Sequence, residues 1–336
     1  MRIRIQCLHP AALDGKVKQG GKLALQVVPT CGHNLFGTYS VLAASALQPF
    51  IDELGGEIRV YGTPGEEGGE NGSAKGSFVR EGFFNDVDAA LCVHPAHRYG
   101  KTTASLANDP VDIKFYGRAS HAAAAPEKGI NALEALLQVF NGINGLRLHL
   151  PKDVNIHGVI TDGGVAANVV PEYAAGRFYL RAANRATLND VYEKVENIVK
   201  GAALATGATY EFGLFQNSVD DVIVTPSFDE IFFAHAQEAG VPADEIDTEA
   251  KASLGSSDVG NVSQVIPTIQ PTVSISDDYI AGHSEEFKAA AKSEKGLQSI
   301  AIAAELLALT ALDLFEQPAL LEKIKADHQE SLAKGN

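Results

Sequence analysis

Apolar positions along the chain follow a helical period in some stretches and a strand period in others, and the changes divide it. From Ser40 to Leu54 they recur at helical spacing, with Gly55-Gly56 as the stop. Glu57 to Tyr61 reads as a strand, and Gly62 to Gly72 as a glycine-rich loop carrying acids. Ala89 to Val93 is a nearly continuous apolar run ending at His94-Pro95. Such a run suits a strand buried on both faces, as in a parallel sheet. This first part reads as α/β.

The middle changes character. Val111 to Tyr116 reads as a strand, and Asn131 to Leu146 as a helix with Leu133, Leu136, Leu137, Phe140 and Ile143 on one face. Val154 to Ile160 and Glu172 to Arg181 read as strands. Leu188 to Leu204 is a helix led by Val191, Val195, Ile198 and Val199, and Thr209 to Phe215 closes with a strand. The order β-α-β-β-α-β is the ferredoxin-like pattern of a small separate domain. After Asp220 the α/β character returns, with a helix at Phe228 to Ala239, an apolar strand at Thr268 to Ile275 and a long apolar helix at Leu297 to Leu312. The tail from Glu322 reads as a solvated helix end. The expected architecture is an α/β domain, residues 1–106 and 221–336, interrupted by an α+β domain at residues 107–220.

A length of 336 residues allows a well-buried core in two or so domains. A net charge of −15 argues against nucleic acid as a partner, since phosphate neutralisation needs a basic face. The three cysteines, Cys7, Cys31 and Cys92, are too few and too odd for a disulfide framework. Met1 to Val28 lacks the apolar core of a signal peptide. No stretch approaches the roughly 18 apolar residues of a spanning helix, so no membrane partner is expected. A reducing, cytoplasmic setting is the default.

Three polar clusters fall at the ends of expected strands: Cys31-Gly32-His33-Asn34, Gly65-Glu66-Glu67-Gly68-Gly69 and Cys92-Val93-His94-Pro95. Ligands of open α/β sheets bind outside the carboxyl ends of the strands, so the clusters can converge. Together with the distal Ala281-Gly282-His283, they offer donors for Zn²⁺ or a similar divalent ion. Each piece alone has a plainer reading: a buried small hydrophobe for Cys31, a solvated loop for the two glutamates, a surface or core histidine for His94 or His283. His9, His97, His149, His157, His235 and His328 lack such context and read as structural or exposed.

The runs CGHNLFGT, YGTPGEEGG, VHP, GRASHAAAAPEKGINALEA, GGVAANVVPE and AGHSEEF resemble the M20 family of metallohydrolases. Within it, the similarity points to subfamily D, the N-acyl-amino-acid, aminobenzoyl-glutamate and Xaa-Arg-dipeptidase-like amidohydrolases. The resemblance implies an exopeptidase-like catalytic domain interrupted by a ferredoxin-like dimerisation domain, and a homodimer that hydrolyses an N-acyl amino acid or dipeptide. It implies one or two divalent ions (Zn, Mn, Co or Ni) held by Cys31, His33, Glu67, His94 and His283, with Glu66 as general base. It further implies that His121 reaches the partner's active site as an oxyanion donor, and that Asn168 and Arg181 contact substrate. Read without it, His121 is a strand-end histidine capping the next turn, Asn168 a turn residue and Arg181 a surface ion pair. Asp258, in Gly-Ser-Ser-Asp, holds either a ligand or a loop.

Family members carry a longer segment before the Cys-Gly-His, with an extra helix, two or three strands and an acidic stretch. Here Met1 to Thr30 precedes Cys31, Leu23 to Val28 is the sole strand expected, and the acidic stretch is missing. Its aspartate orients ligands in the family, which leads to the expectation of weakened metal binding and a weak or inactive hydrolase. A catalytically silent member that binds ligands or partners is therefore the second reading. An unrelated cofactor-binding α/β enzyme is the third, and it lacks a Gly-x-Gly-x-x-Gly fingerprint.

Overall fold

The structure is a computed structural model that describes residues 2–8, 16–19, 22–25, 31–247 and 255–335. The chain divides into two compact units, residues 1–105 with 221–336, and residues 106–220. His9, and residues 26–28 of the strand expected at Leu23 to Val28, lie outside the described residues.

The first unit opens with β1 (Arg2–Leu8), β2 (Lys16–Gln19), β3 (Lys22–Leu25), α1 (His33–Leu47), α2 (Ile51–Leu54) and β4 (Glu57–Thr63). It continues through α3 (Ala74–Arg80), β5 (Ala89–Leu91), β6 (His94–Ala96) and β7 (Tyr99–Gly100). Leu23 to Val28 is not the sole strand before Cys31: β1 pairs in parallel with both β4 and β5, and Leu23 to Leu25 belongs to the β2–β3 hairpin. The first helix starts at His33 rather than Ser40 and is broken at Gln48–Phe50 by a 3₁₀ turn. Pro49 in that turn has no N–H for the helical ladder. Gly55 ends the segment at φ 68°.

The second unit contains β8 (Ala107–Tyr116), α4 (Ala132–Leu146), β9 (Asn155–Asp162), β10 (Tyr173–Ala182), α5 (Arg185–Thr206) and β11 (Thr209–Leu214). Its antiparallel sheet has the order β11-β8-β10-β9, the ferredoxin-like arrangement. The two helices share a separate core with the sheet. The buried face of α4 is Ala132, Ala135, Leu136, Val139 and Ile143, whereas Leu137 is 37% exposed. Leu133 and Phe140 pack against the same core, so of the expected face only Leu137 is misplaced, and alanines close to the sheet take up the remainder.

The chain then returns to the first unit with α6 (Pro226–Glu238), β12 (Ile246–Asp247), α7 (Val259–Ser263), β13 (Thr268–Ile269) and β14 (Thr272–Ser274). It ends with α8 (Glu285–Ala290), α9 (Glu294–Glu316) and α10 (Pro318–Lys334). The strand expected at Thr268 to Ile275 is two strands in two sheets. β13 joins the β13-β5-β1-β4 sheet, and β14 joins the β12-β7-β14-β6 sheet, with Pro271 between them. The 89–96 run makes the same crossing beside it, through amide bonds from Ala90, Cys92 and His94 to the carbonyls of Pro267, Ile269 and Pro271. The crossing places His94 at the end of the central parallel sheet.

Helix α9 is long and apolar enough to span a membrane, against the expectation that no stretch is, but Leu306, Leu307, Ala311 and Leu314 lie in the core of this unit. The tail is not a solvated end. In α10, Leu321, Ile324 and His328 are buried, and Asp327 accepts from the amide and hydroxyl of Ser227 at 2.9 and 2.6 Å. Ile324→Ala should therefore lower stability by about 2–5 kcal/mol, as for other fully buried aliphatic truncations, read from urea unfolding followed by circular dichroism. A solvated tail would shift it by less than about 0.5 kcal/mol.

Candidate metal centre

Gly32 precedes α1 at φ 69°, a conformation open to glycine at little cost. A Cβ there would lie 2.7 Å from Pro95 Cγ and 3.2 Å from the Phe287 ring. The Cys31–His33 turn, the His94-Pro95 step and α8, which follows His283, thus close on one another at a position with no room for a side chain. The glutamate loop is as tight. The Gly65 carbonyl accepts from Gly68 N at 3.1 Å and Ser73 N at 2.6 Å, so the loop folds back on itself around Glu66 and Glu67. His283 sits at φ 60°, an uncommon conformation for a non-glycine residue, one position before Ser284 caps α8.

These turns bring the donors together. Cys31 Sγ is 3.3 Å from His283 Nε2, and His283 Nε2 is 3.6 Å from Glu67 Oε2. His33 Nε2 is 3.7 Å from Glu67 Oε1 and 3.7 Å from Glu66 Oε2. Two groups result, Cys31–Glu67–His283 and His33–Glu66–Glu67, each with its ligand atoms within 4.8 Å of one another. Glu67 belongs to both. His94 stands beside them, with its ring centroid 5.6 Å from that of His33, and Phe36 packs edge-on against both rings. His94 Nδ1 lies 2.7 Å from the Pro95 carbonyl. A carbonyl only accepts, so Nδ1 carries the proton and Nε2 keeps its lone pair, the orientation of a metal-binding imidazole.

Burial raises the Cys31 thiol well above the ordinary cysteine range, and Glu67 beside it pushes the same way. Burial lowers the His94 pKa, against the opposing pull of Glu66. A thiol, imidazoles and carboxylates within this span form a mixed donor set that fits a borderline divalent cation. Such a cation would reverse the cost of holding the carboxylate beside the thiol.

Next to the glutamate loop lies a pair that sequence reading missed in half. Asp258, at the turn that starts α7, stands in neither donor group and instead holds the start of α3, where the glutamate loop ends. Its Oδ1 accepts from Lys75 Nζ at 2.5 Å and its Oδ2 from Lys75 N at 3.2 Å, with both side chains fully buried. A lysine in the first turn of a helix opposes the helix dipole. That position in α3 is the one local sign that an anion holds it.

In the second unit, His121 makes an isolated bridge to Val169, and Ala122 N donates to the Asn168 carbonyl at 3.0 Å. His121 Nδ1 accepts from the amides of Ala123 and Ala124 at 3.3 and 3.2 Å, so the histidine does cap the next turn. The same bonds set the tautomer, leaving Nε2 as a donor on an exposed ring. Arg181 is not brought to this place. It pairs with Asn108 at one end of β10, while Tyr173, beside the His121 segment, pairs with Tyr116 at the other. Eight residue steps along the strand separate them, roughly 26 Å. Arg181 lies 5.5 Å from the Tyr179 ring centroid.

Residues 110–206 match the peptidase dimerisation domain. The chain is 32% identical to the Xaa-Arg dipeptidase of Mus musculus over 301 residues, covering 88% of this chain and 69% of that protein. It is 31% identical to a p-aminobenzoyl-glutamate hydrolase polypeptide of Escherichia coli, covering 89% of this chain and 73% of that one. Its fold is similar to that of the aminobenzoyl-glutamate utilization protein of Klebsiella pneumoniae, with a TM-score of 0.67 at 20% identity over 93% of this chain and 71% of that one. A dinuclear metal-binding M20 peptidase of Bacillus subtilis gives 0.60 at 20% identity over 94% and 82%.

Lys75→Met should cost about 3–5 kcal/mol, because it strands the Asp258 carboxylate in the interior. The double change Lys75→Met/Asp258→Asn, which removes both charges and keeps an acceptor for the residue-75 amide, should be closer to the unaltered protein than the single change. Equal unfolding midpoints for the single and double variants would contradict this reading.

Proposed function

The chain belongs to the M20 family of peptidases and amidohydrolases, and we propose that it cleaves the amide bond of an N-acyl amino acid or dipeptide at a divalent metal centre held by Cys31, His33, Glu67, His94 and His283. The observation that carries the proposal is the place of Glu67 in both donor groups, while Glu66 touches one. A carboxylate shared by two groups suits a ligand, and an adjacent one off that vertex suits a base. Two groups with one member in common are compatible with one ion or two. The relatives support the bond type, since a dipeptidase and a p-aminobenzoyl-glutamate hydrolase both act on amides.

A bound divalent ion supplies carbonyl polarisation and a more acidic water. Glu66 takes the proton of the attacking water and passes it to the leaving amine. His121 offers Nε2–H to the developing oxyanion, with its ring held by the Ala123 and Ala124 amides. Asn168 stays beside His121 through the Ala122 amide and contacts substrate there. A dipeptide spans about 7 Å, so one second unit cannot apply both His121 and Arg181 to the same substrate. A homodimer resolves this when the partner supplies His121 and Asn168, and the match to a peptidase dimerisation domain supports that assembly. A cytoplasmic location, where thiols stay reduced, suits Cys31 as a ligand.

Glu66→Gln should retain metal and lose kcat by about 10²–10⁴-fold, whereas Glu67→Gln should lose metal, measured by plasma emission on the dialysed protein. Retention by Glu67→Gln together with loss by Glu66→Gln would reverse the roles. Absence of turnover across a dipeptide and N-acyl-amino-acid panel by the metal-loaded protein would leave the silent-member reading standing.

Mixing inactive Glu66→Gln subunits with inactive His121→Ala subunits should restore part of the activity, since one site per heterodimer is complete. Persistent inactivity after subunit exchange, verified by differential tagging, would exclude action across the dimer.

A further inference from the structure

Within the first unit, a cavity of about 310 Å³ has His94 in its wall. It is built on the sheet that β6, β7, β12 and β14 form, and Arg98, Lys101, Asp247, Gln270 and Thr272 contribute to its lining. The Thr272 hydroxyl donates to the Arg98 carbonyl at 2.8 Å, which ties the Arg98 turn to β14. Gly100 sits where a Cβ would come within 3.0 Å of the Thr272 hydroxyl, so the strands forming the cavity approach closely. The volume is that of a small-ligand site.

The charge of this cavity is unusual for the chain. Arg98 and Lys101 against Asp247 leave it one unit positive, on a protein whose net charge is −15. Among the described residues, neither Arg98 nor Lys101 makes an ion pair. A smaller neighbouring cavity of about 200 Å³ also has Arg98 in its wall, but there Asp244, Glu245 and Asp277 outnumber Arg98 and Lys295. Lys295 is already paired with Asp277 at 2.5 Å. Of the two, the cavity beside His94 is the one suited to an anion. A planar guanidinium with an ammonium nearby recognises a carboxylate through charge-assisted hydrogen bonds.

We propose that this cavity is a subsite for a carboxylate at the far end of the substrate, with Arg98 and Lys101 as specificity-determining residues. The inference rests on the hydrolase reading for its connection to catalysis, because His94 is the residue the cavity shares with the metal centre. A substrate whose scissile carbonyl lies at the centre then extends an acidic side chain, or the free end of a dicarboxylic acyl group, past His94 to the two cations. The substrate class is narrowed to amides that carry this extra carboxylate.

Two measurements test it. Calorimetric titration of the metal-stripped protein with glutarate, a plain dicarboxylate, should show binding that weakens at least about tenfold in Arg98→Gln/Lys101→Gln, the scale of one or two charge-assisted bonds. Steady-state kinetics of the metal-loaded protein on Glu-Ala against Gln-Ala, and on Ala-Glu against Ala-Gln, should show a preference for the glutamate member of at least one pair. The double variant should lower that kcat/KM preference about tenfold, through KM. Unchanged melting temperature checks that the variant folds. Glutarate binding that is absent, or equal in both proteins, would overturn the subsite whatever the kinetics show. Binding that depends on Arg98 and Lys101 without turnover of any of the four dipeptides would keep the subsite and sink the hydrolase reading. Turnover with no preference, or a variant that slows both members of each pair equally, would sink the role of the subsite in specificity.

Discussion

Two adjacent carboxylates, a thiol and three imidazoles drawn together at the edge of a buried sheet impose the constraint on which the first unit is organised. Each group is better solvated apart than together, and the carboxylate beside Cys31 makes the thiolate harder to form. Tight packing holds them in place. Gly32 meets Pro95 with no space for a methyl group, and the Gly65 carbonyl takes two amides to close the glutamate loop. The buried Lys75–Asp258 pair ties the start of α3 to the start of α7, two residues after Ser73 closes that loop. The pair is neutral as a whole, so it fixes position rather than cancelling the charge of the glutamates. A divalent cation among the donors is the group that would cancel it.

The sequence-readable parts of the fold are those whose signal is local. In the second unit, long periodic helices and alternating strands foretell the β-α-β-β-α-β order, and the same order is found in the sheet. Asn131 and Asn184 cap the two helices at their starts, each accepting the amide three residues on. The first unit was less legible, because its informative events are breaks. Pro49 splits one apparent helix into a long helix, a 3₁₀ turn and a short helix, and Pro271 turns one apparent strand into two that belong to different sheets. The tail misled for a different reason. Glu322, Lys323 and Glu330 face outward while Leu321, Ile324 and His328, spaced at three and four, lie against the core.

The candidate site was legible to different depths. Each cluster stands in the sequence as a short polar run after an apolar one, and that pattern marks strand ends. Their convergence is a tertiary fact. Cys31 and His283 are 252 positions apart and touch, and no spacing rule reaches that far. Only the order of motifs shared with a known family joined His283 to the rest. Lys75 had no such support, since it sits outside every motif and its partner lies 183 positions away. The Arg181 case shows the limit of motif transfer. A motif places a residue on an element, but which end of a ten-residue strand it occupies relative to His121 follows from the register alone.

That register bears on assembly. His121 and Asn168 lie beside the end of β10 that pairs with Tyr116, and Arg181 lies at the end that pairs with Asn108. A rigid four-stranded sheet cannot bring its two ends to one small molecule. Either the two ends serve different molecules, or two copies of the sheet serve one. The second alternative uses every residue that the M20 resemblance singles out in this unit, and it needs no distortion of a core built from Val111, Ile113, Phe178 and Leu180. It is also consistent with a histidine carried on a unit that has its own hydrophobic core. On the proposal that His121 serves the partner's site, such a donor is best held by an element whose geometry does not depend on the site it serves. The two amides on His121 Nδ1 do this at the level of a single ring, since they set the donor on Nε2 before any substrate arrives.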